Sequence, residues 1–443
     1  MQNQGIRDAR SLGTPKLLVL GLQHMFAMFG ATVLVPALTG LSVSATLLFA
    51  GLGTLFFHFV TKGKVPAFLG SSFAYLAGYA AIAPNGEAAL LPYACVGVAA
   101  SGLLYLILAA LVRGFGANRV MRFFPPVVTG PIIICIGMTL ANSAINNCTG
   151  SWDIALVAIL TVVIFNIWGK GMLRIIPILL GVLVSYVYAA VTGRVDFSGV
   201  ASAAWIGLPV KMENTVFSLI GNCDANLLVT AIIAIMPIAF ATMIEHIGDI
   251  CAISSTVGAN FIADPGLHRT LLGDGLATSI ASLFGAPANT TYGENTGVLA
   301  LTRVYDPLVI RLAAVYAIIA SFCPKFAALV SAMPTGTIGG VSLILYGMLS
   351  AIGVRNLVEN RVDLAKSRNV IVVSLIISLA LGITFSTAGA ITFHVGEFTL
   401  NFSGLAVAAI VGIVVNAILP GKDYNFQNDY EYGKTTEDHG QML

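Results

Sequence analysis

Stretches of apolar residues long enough to cross a lipid bilayer recur from one end of this chain to the other. They lie near 17–39, 44–62, 65–83, 88–112, 125–147, 152–168, 174–193, 224–250, 268–286, 288–301, 307–325, 335–354, 368–388 and 401–419. Crossing the hydrocarbon core takes about 20 apolar residues in a helix. Lipid offers no partner for a backbone N–H or C=O, so each crossing must satisfy its own hydrogen bonds. The expected fold is therefore an all-α, multi-pass membrane protein of about fourteen segments, called spans one to fourteen below. Composition agrees: 57% of the 443 residues are hydrophobic and only 9% are charged. A soluble domain carries roughly 25% charged residues, so this chain has too few to cover a water-facing surface. The stretch near 198–220, with Trp205 and Lys211, is less apolar and is expected to be an interfacial connection.

The basic residues give an orientation. Lys62 and Lys64 follow span two; Arg113, Arg119 and Arg122 follow span four; Lys170 and Arg174 separate spans six and seven. Arg269, Arg303, Arg355, Arg361, Lys366 and Arg368 follow spans eight, ten and twelve, and Lys422 and Lys434 lie in the tail. Only Arg194, Lys211 and Lys325 fall on the opposite side. Positive charge stays inside, so both termini are expected in the cytoplasm and the protein in the cell (inner) membrane. No cleavable signal peptide is expected, because the first sixteen residues are polar and carry Arg7, Arg10 and Lys16. The formal net charge of +2 implies no nucleic-acid partner. The six cysteines are scattered without a CxxC pair and read as small apolar residues; Cys148 and Cys223 are the two that could meet near the outer face.

Fourteen spans divide into seven plus seven, and an odd repeat number inverts the second copy. The third span of each half opens alike: Pro66-Ala-Phe-Leu-Gly-Ser-Ser-Phe73 in the first, Pro287-Ala-Asn-Thr-Thr-Tyr-Gly-Glu294 in the second. Proline lacks a donor, and Ser, Thr and Asn compete with helix for their own backbone. Irregular backbone at membrane depth survives where it lines a cavity or is buried in protein. Paired broken spans in two halves point to a transporter binding site, with half-helix N-termini aiming N–H groups at ligand oxygens.

Four carboxylates fall inside apolar segments: Glu245, Asp249, Asp274 and Glu294. A carboxylate at the centre of a membrane helix costs roughly 2.5–3.5 kcal/mol on insertion scales, so such residues are functional by default. Glu245 and Asp249 are i,i+4 and share a helix face. Two like charges there resist ionising together, so one is expected to hold a proton, which builds proton coupling into the pair. Asp274 reads more readily as a packing carboxyl than as a functional one. His24 lies mid-span, either hydrogen-bonded in the core or acting as a proton relay. His246 neighbours Glu245 but points about 100° around the helix. No spacing fits a metal site, and no G-x-x-x-x-G-K-[ST] loop for ATP occurs. No cofactor is implied, and no nucleophile–base pair suggests an enzyme.

The run Glu294-Asn-x-Gly297-x-x-x-x-Thr302-Arg303 is similar to the signature of the nucleobase–ascorbate transporter family. With it come QHMFAMFGATVLVP at 23–36, KVPAFLGSSFAY at 64–75, IEHIG at 244–248, DPGLHR at 264–269, NTTYGENTG at 289–297 and GGVSLILYG at 339–347. In this order, across nearly the whole chain, they resemble the uracil-carrying branch of that family. The resemblance implies a seven-plus-seven inverted repeat with short strands in spans three and ten. It implies a cytoplasmic segment 1–16, a core domain (17–112 and 221–330), a gate domain (113–220 and 331–420) and a cytoplasmic tail 421–443. It also implies a homodimer through the gate domain. Carried over residue by residue, Glu245 and Glu294 match the substrate-binding glutamates. Phe73 and Gly293 match positions whose backbone N–H groups meet the base. Tyr292 and Tyr346 match aromatics near the site, and His24 a polar residue of the first span. Asp249 departs from the uracil branch, which carries His there, and resembles the purine branch.

The implied function is import of uracil in symport with protons by alternating access, with Glu245, Asp249 and His24 in the proton coupling. Asp249 is expected to act mainly on the proton held by Glu245. Uracil is an imide whose N–H donors are flanked by carbonyl acceptors, so carboxylates and backbone amides complement it. Ionised Glu294 can only accept, whereas the Gln typical of xanthine recognition also donates, which favours uracil. The alternatives are a xanthine or other nucleobase symporter of the same fold and, with less support, an anion transporter.

Overall fold

The computed structural model of the chain describes residues 5–395 and 398–422 apart from 222. The sequence tail therefore falls, from residue 423 onward, outside the described residues. Seven helices among the described residues are long and apolar enough to cross a bilayer: Thr14–Thr39, Val43–Val60, Leu91–Phe115, Pro126–Cys148, Ala225–Val257, Thr335–Glu359 and Ser367–Thr384. Shorter apolar helices occupy Trp152–Trp168, Pro177–Val191 and Gly404–Ile418. Helices Leu267–Leu283 and Pro307–Ser321 complete the unbroken segments at the expected places. The sequence marks their starts. Pro126, Pro177 and Pro307 open helices, where a missing N–H costs nothing. Ser42 and Asp224 cap helix N-termini with side-chain oxygens.

Three boundaries differ from expectation. Span eight runs on to Val257, through a tight turn at Met236–Ile238, and stops at left-handed Gly258. Span eleven is followed by a second helix, Pro324–Ser331, bent by 88° from the first. Pro324 forbids helical continuation of the preceding residue and turns the chain. Span fourteen begins at Gly404, because Phe398–Ser403 pairs antiparallel with Ala390–Val395 as an unanticipated hairpin. The β-branched and aromatic residues there favour strand, and Ser403 then caps the helix. In the 198–220 connection, Trp205, Ile206 and Leu208 are exposed.

Two sets of helices pack within themselves. In one, span nine lies against spans four and two, span eleven against two and one, and span eight against four. In the other, span twelve lies along spans five and six, span six against seven, and span thirteen against fourteen and five. Close approach at small residues sets both. A Cβ on Gly102 would sit 1.8 Å from Ser279 Oγ, and one on Gly137 would sit 2.2 Å from the Tyr346 carbonyl oxygen. In lipid, van der Waals packing of this kind drives helix association, because apolar tails offer no hydrophobic gain. Among the described residues no disulfide joins Cys148, which is buried, to Cys223, which is exposed.

The N-terminal segment is tied to the first set. Ile6 pairs in parallel with Val304, the Ala9 N–H donates to Asp306 Oδ2 at 2.8 Å, and Arg7 donates to the Val257 carbonyl at 3.0 Å. It thereby clasps the ends of spans eight and ten.

Candidate functional site

Spans three and ten are both broken, and their non-helical stretches find each other. Leu69–Ser71 and Asn289–Thr291 form a two-stranded antiparallel sheet, with Leu69 opposite Thr291, Gly70 opposite Thr290 and Ser71 opposite Asn289. The two proline-led runs are offset by 221 residues, from Pro66 to Pro287. Adding that offset to Leu69 gives position 290, and subtracting it from Thr291 gives position 70. The pair Leu69–Thr291 thus maps onto the pair Gly70–Thr290, as a two-fold axis between the repeats requires. Each strand then turns into a half-helix, Leu76–Ile82 and Gly293–Thr302. The strands are fully buried and satisfied by each other. At their mouths, the N–H groups of Phe73 and Gly293 find no backbone acceptor among the described residues. A Cβ on Gly293 would meet nothing within 4 Å, so open space lies before it.

Around this crossing stand the expected side chains. Glu245 and Glu294 are half-buried, and Glu245 Oε2 is shielded from solvent with no hydrogen-bond partner among the described residues. Asp249 follows Glu245 by one turn on the same face of span eight. Asp249 Oδ2 accepts a 2.6 Å hydrogen bond from Thr291 Oγ1, which fastens span eight to the second strand. Tyr292 is buried beneath the crossing and donates to the Ser71 carbonyl at 2.9 Å. It therefore buttresses the first strand instead of offering its hydroxyl to a ligand. Tyr346, on span twelve, meets Phe73 edge to face with ring centroids 5.7 Å apart, and it is buried. His24 is fully buried, and Asn295 Nδ2 lies 3.2 Å from its Nδ1 and donates to its carbonyl at 3.1 Å. With Nδ1 as acceptor, the ring proton sits on Nε2, where no described acceptor meets it.

Sequence reasoning missed several partners. Thr291 and Ser71 lie in the polar runs that mark the broken spans, but those runs do not say which partner each takes. Asn295 had one, since it directly follows Glu294 in the signature. His246 proves to face Asp274: Nδ1 and Oδ2 are 3.2 Å apart and both side chains are wholly buried, though the approach lacks hydrogen-bond alignment. Spacing could not reveal this, because the two lie on different spans.

A cavity of about 160 Å³ opens beside the crossing. Glu294 and Ala27 form one wall; Asn166, Arg174, Leu179 and Met348 belong to the other helix set.

The comparisons with known proteins agree with this architecture. A family model described as a permease family matches residues 15–389. The uracil permease of Bacillus caldolyticus is 42% identical over 437 residues, covering 96% of each chain. That of Bacillus subtilis (strain 168) is 40% identical over 453 residues, covering 99% of this chain and 98% of the other. Among solved structures, the transmembrane domain of a cyanobacterium bicarbonate transporter, BicA, superposes with a TM-score of 0.62 over 94% of this chain and all of that one. At 13% identity it shares the fold alone. The proline-led strands, the signature from Glu294 to Arg303 and the full-length relatives lead to one conclusion: this chain belongs to the nucleobase–ascorbate transporter family of permeases.

Proposed function

We propose that this permease imports uracil together with protons across the cell membrane, with both termini in the cytoplasm. The observation that carries the reading is the pairing of two carboxylates, Glu245 and Glu294, with the unengaged N–H groups of Phe73 and Gly293 at one strand crossing. An imide presents N–H donors between C=O acceptors. Carboxylates take the former and backbone amides the latter, each charge-assisted bond contributing about 1.5–3 kcal/mol. The Phe73 and Tyr346 rings supply an apolar wall. A cavity of about 160 Å³ adjoins the crossing at Glu294 and opens outward from it. Anion transport fits less well, since the crossing is lined by carboxylates.

The helix set of spans one to four and eight to eleven is then the core domain that carries the site. The set of five to seven and twelve to fourteen is the gate, through which a homodimer would form. Alternating access moves one against the other. The experiment is uptake of radiolabelled uracil challenged by excess unlabelled uracil, xanthine and adenine. Uracil competes fully and the purines weakly. Equal competition by xanthine would reject uracil selectivity.

Asp249 is assigned a second task besides tuning the proton on Glu245: holding the second strand through Thr291. Asp249→Asn keeps a carbonyl oxygen for that bond and should leave uracil affinity within about threefold. Asp249→Ala removes it and should weaken binding about tenfold, the scale of one hydrogen bond to a charged group. Titration of the purified variants with uracil checks both values. Asn and Ala weakening binding alike would assign Asp249 to its charge, not to the strand.

A further inference from the structure

The cavity beside Glu294 has a polar group that the binding site leaves unused. Arg174 lines it from the far wall, on the short helix Met172–Ile175 between spans six and seven. No hydrogen bond or ion pair engages its guanidinium among the described residues. Asn166, near the end of span six, lines the same space. The two walls come from the two helix sets, so the cavity exists only while those sets stand in this arrangement. Its volume of about 160 Å³ leaves room for a small ring, and it is open on one side.

We propose that this cavity is a release station for the base, in which Arg174, with Asn166 beside it, donates to a ring carbonyl while Glu294 still accepts from a ring N–H. The assignment rests on the uracil reading and adds residues to it. Its ligand class is a neutral single-ring imide. The chemistry is complementary on both walls. A carboxylate can only accept and a guanidinium can only donate, so an imide edge bridges them and neither is left unmatched. A planar fork of donors suits a carbonyl better than the compact ammonium of a lysine. As the base leaves the backbone amides of Phe73 and Gly293, its carbonyls need new donors, and Arg174 supplies them on the cytoplasmic route. The positive charge at this loop then serves the path of the substrate as well as the orientation of the chain.

The test separates the two faces of the transporter. Uracil uptake is measured in right-side-out and inside-out vesicles for the wild type, Arg174→Ala, Arg174→Gln and, as a control, Arg113→Ala. Arg113 carries the same charge at an exposed helix end, away from the cavity. The expected result is a KM from the cytoplasmic face raised about tenfold in both Arg174 variants. From the outer face it stays within about twofold, and Arg113→Ala matches the wild type on both faces. Arg174→Gln keeps length and polarity, and it covers the case in which alanine disturbs folding. Equal changes on both faces, no change on either, or the same change in Arg113→Ala would each overturn the proposal. A wild type that carries no uracil from either face would instead reject the underlying function.

Discussion

Replacing Glu294 by alanine removes uracil binding from measurable range while leaving the protein folded. The side chain opens the half-helix Gly293–Thr302, faces the cavity and makes no hydrogen bond to another described side chain, so the fold does not depend on it. The ligand does. Loss of one charge-assisted hydrogen bond costs about 1.5–3 kcal/mol, and the imide N–H left unpaired in a dry site costs about 1–3 kcal/mol more. At 1.4 kcal/mol per decade, the two amount to a fall of roughly 10²–10⁴-fold in affinity. Glu294→Gln is the milder partner. It retains an acceptor oxygen but brings a donor against the imide, and should lose about tenfold to a hundredfold. Calorimetric titration of the purified proteins with uracil checks the order, with thermal melting as the folding control. Near-normal affinity in Glu294→Ala would remove the glutamate from the site and the imide argument with it.

The residues that announced this site did so by being misplaced in lipid. Glu245, Asp249 and Glu294 are costly in an apolar segment, and Pro66 and Pro287 are poor helix formers; together these marked the crossing before any coordinates. The strand register was not legible, because every antiparallel pairing maps onto itself under an inverted offset of 221 residues. What could not be read was set by contact between distant spans. The grip of Thr291 on Asp249 and the approach of His246 to Asp274 depend on how helices rotate against each other. Rotation in lipid is fixed by packing at small residues, such as Gly102 against Ser279, and not by hydropathy. The hairpin before span fourteen was hidden for another reason. Its two strands are short, apolar residues alternate there with Thr392, His394, Thr399 and Asn401, and they sit directly against the apolar helix that follows, so a hydropathy window blends them into its edge. Tyr292 is the instructive case among the matched positions: the resemblance puts an aromatic near the base, and the geometry turns its hydroxyl toward Ser71.

Glu245→Gln uncouples accumulation from the proton gradient without abolishing recognition of uracil. Glutamine has nearly the shape of glutamate and keeps one acceptor for an imide N–H, so binding should survive with a loss of about tenfold or less. It cannot take up a proton, and Glu245 shares a helix face with a second carboxyl, Asp249, one turn further along span eight. The energetic difference is large. One proton moving down a gradient of one pH unit yields about 1.4 kcal/mol, and a potential of 100 mV adds about 2.3 kcal/mol. Together they allow an accumulation ratio of roughly 500-fold for one proton per base. In proteoliposomes with an imposed gradient, wild-type protein should concentrate uracil toward that limit. The Glu245→Gln protein should equilibrate it to a ratio near one while still exchanging labelled for unlabelled uracil. Exchange is the necessary control, because it needs binding and the swing between faces but no net proton flow. A variant that still accumulates uracil in response to the gradient would place the coupling carboxyl elsewhere, and Asp249 and the buried Asp274 opposite His246 would be the next to test.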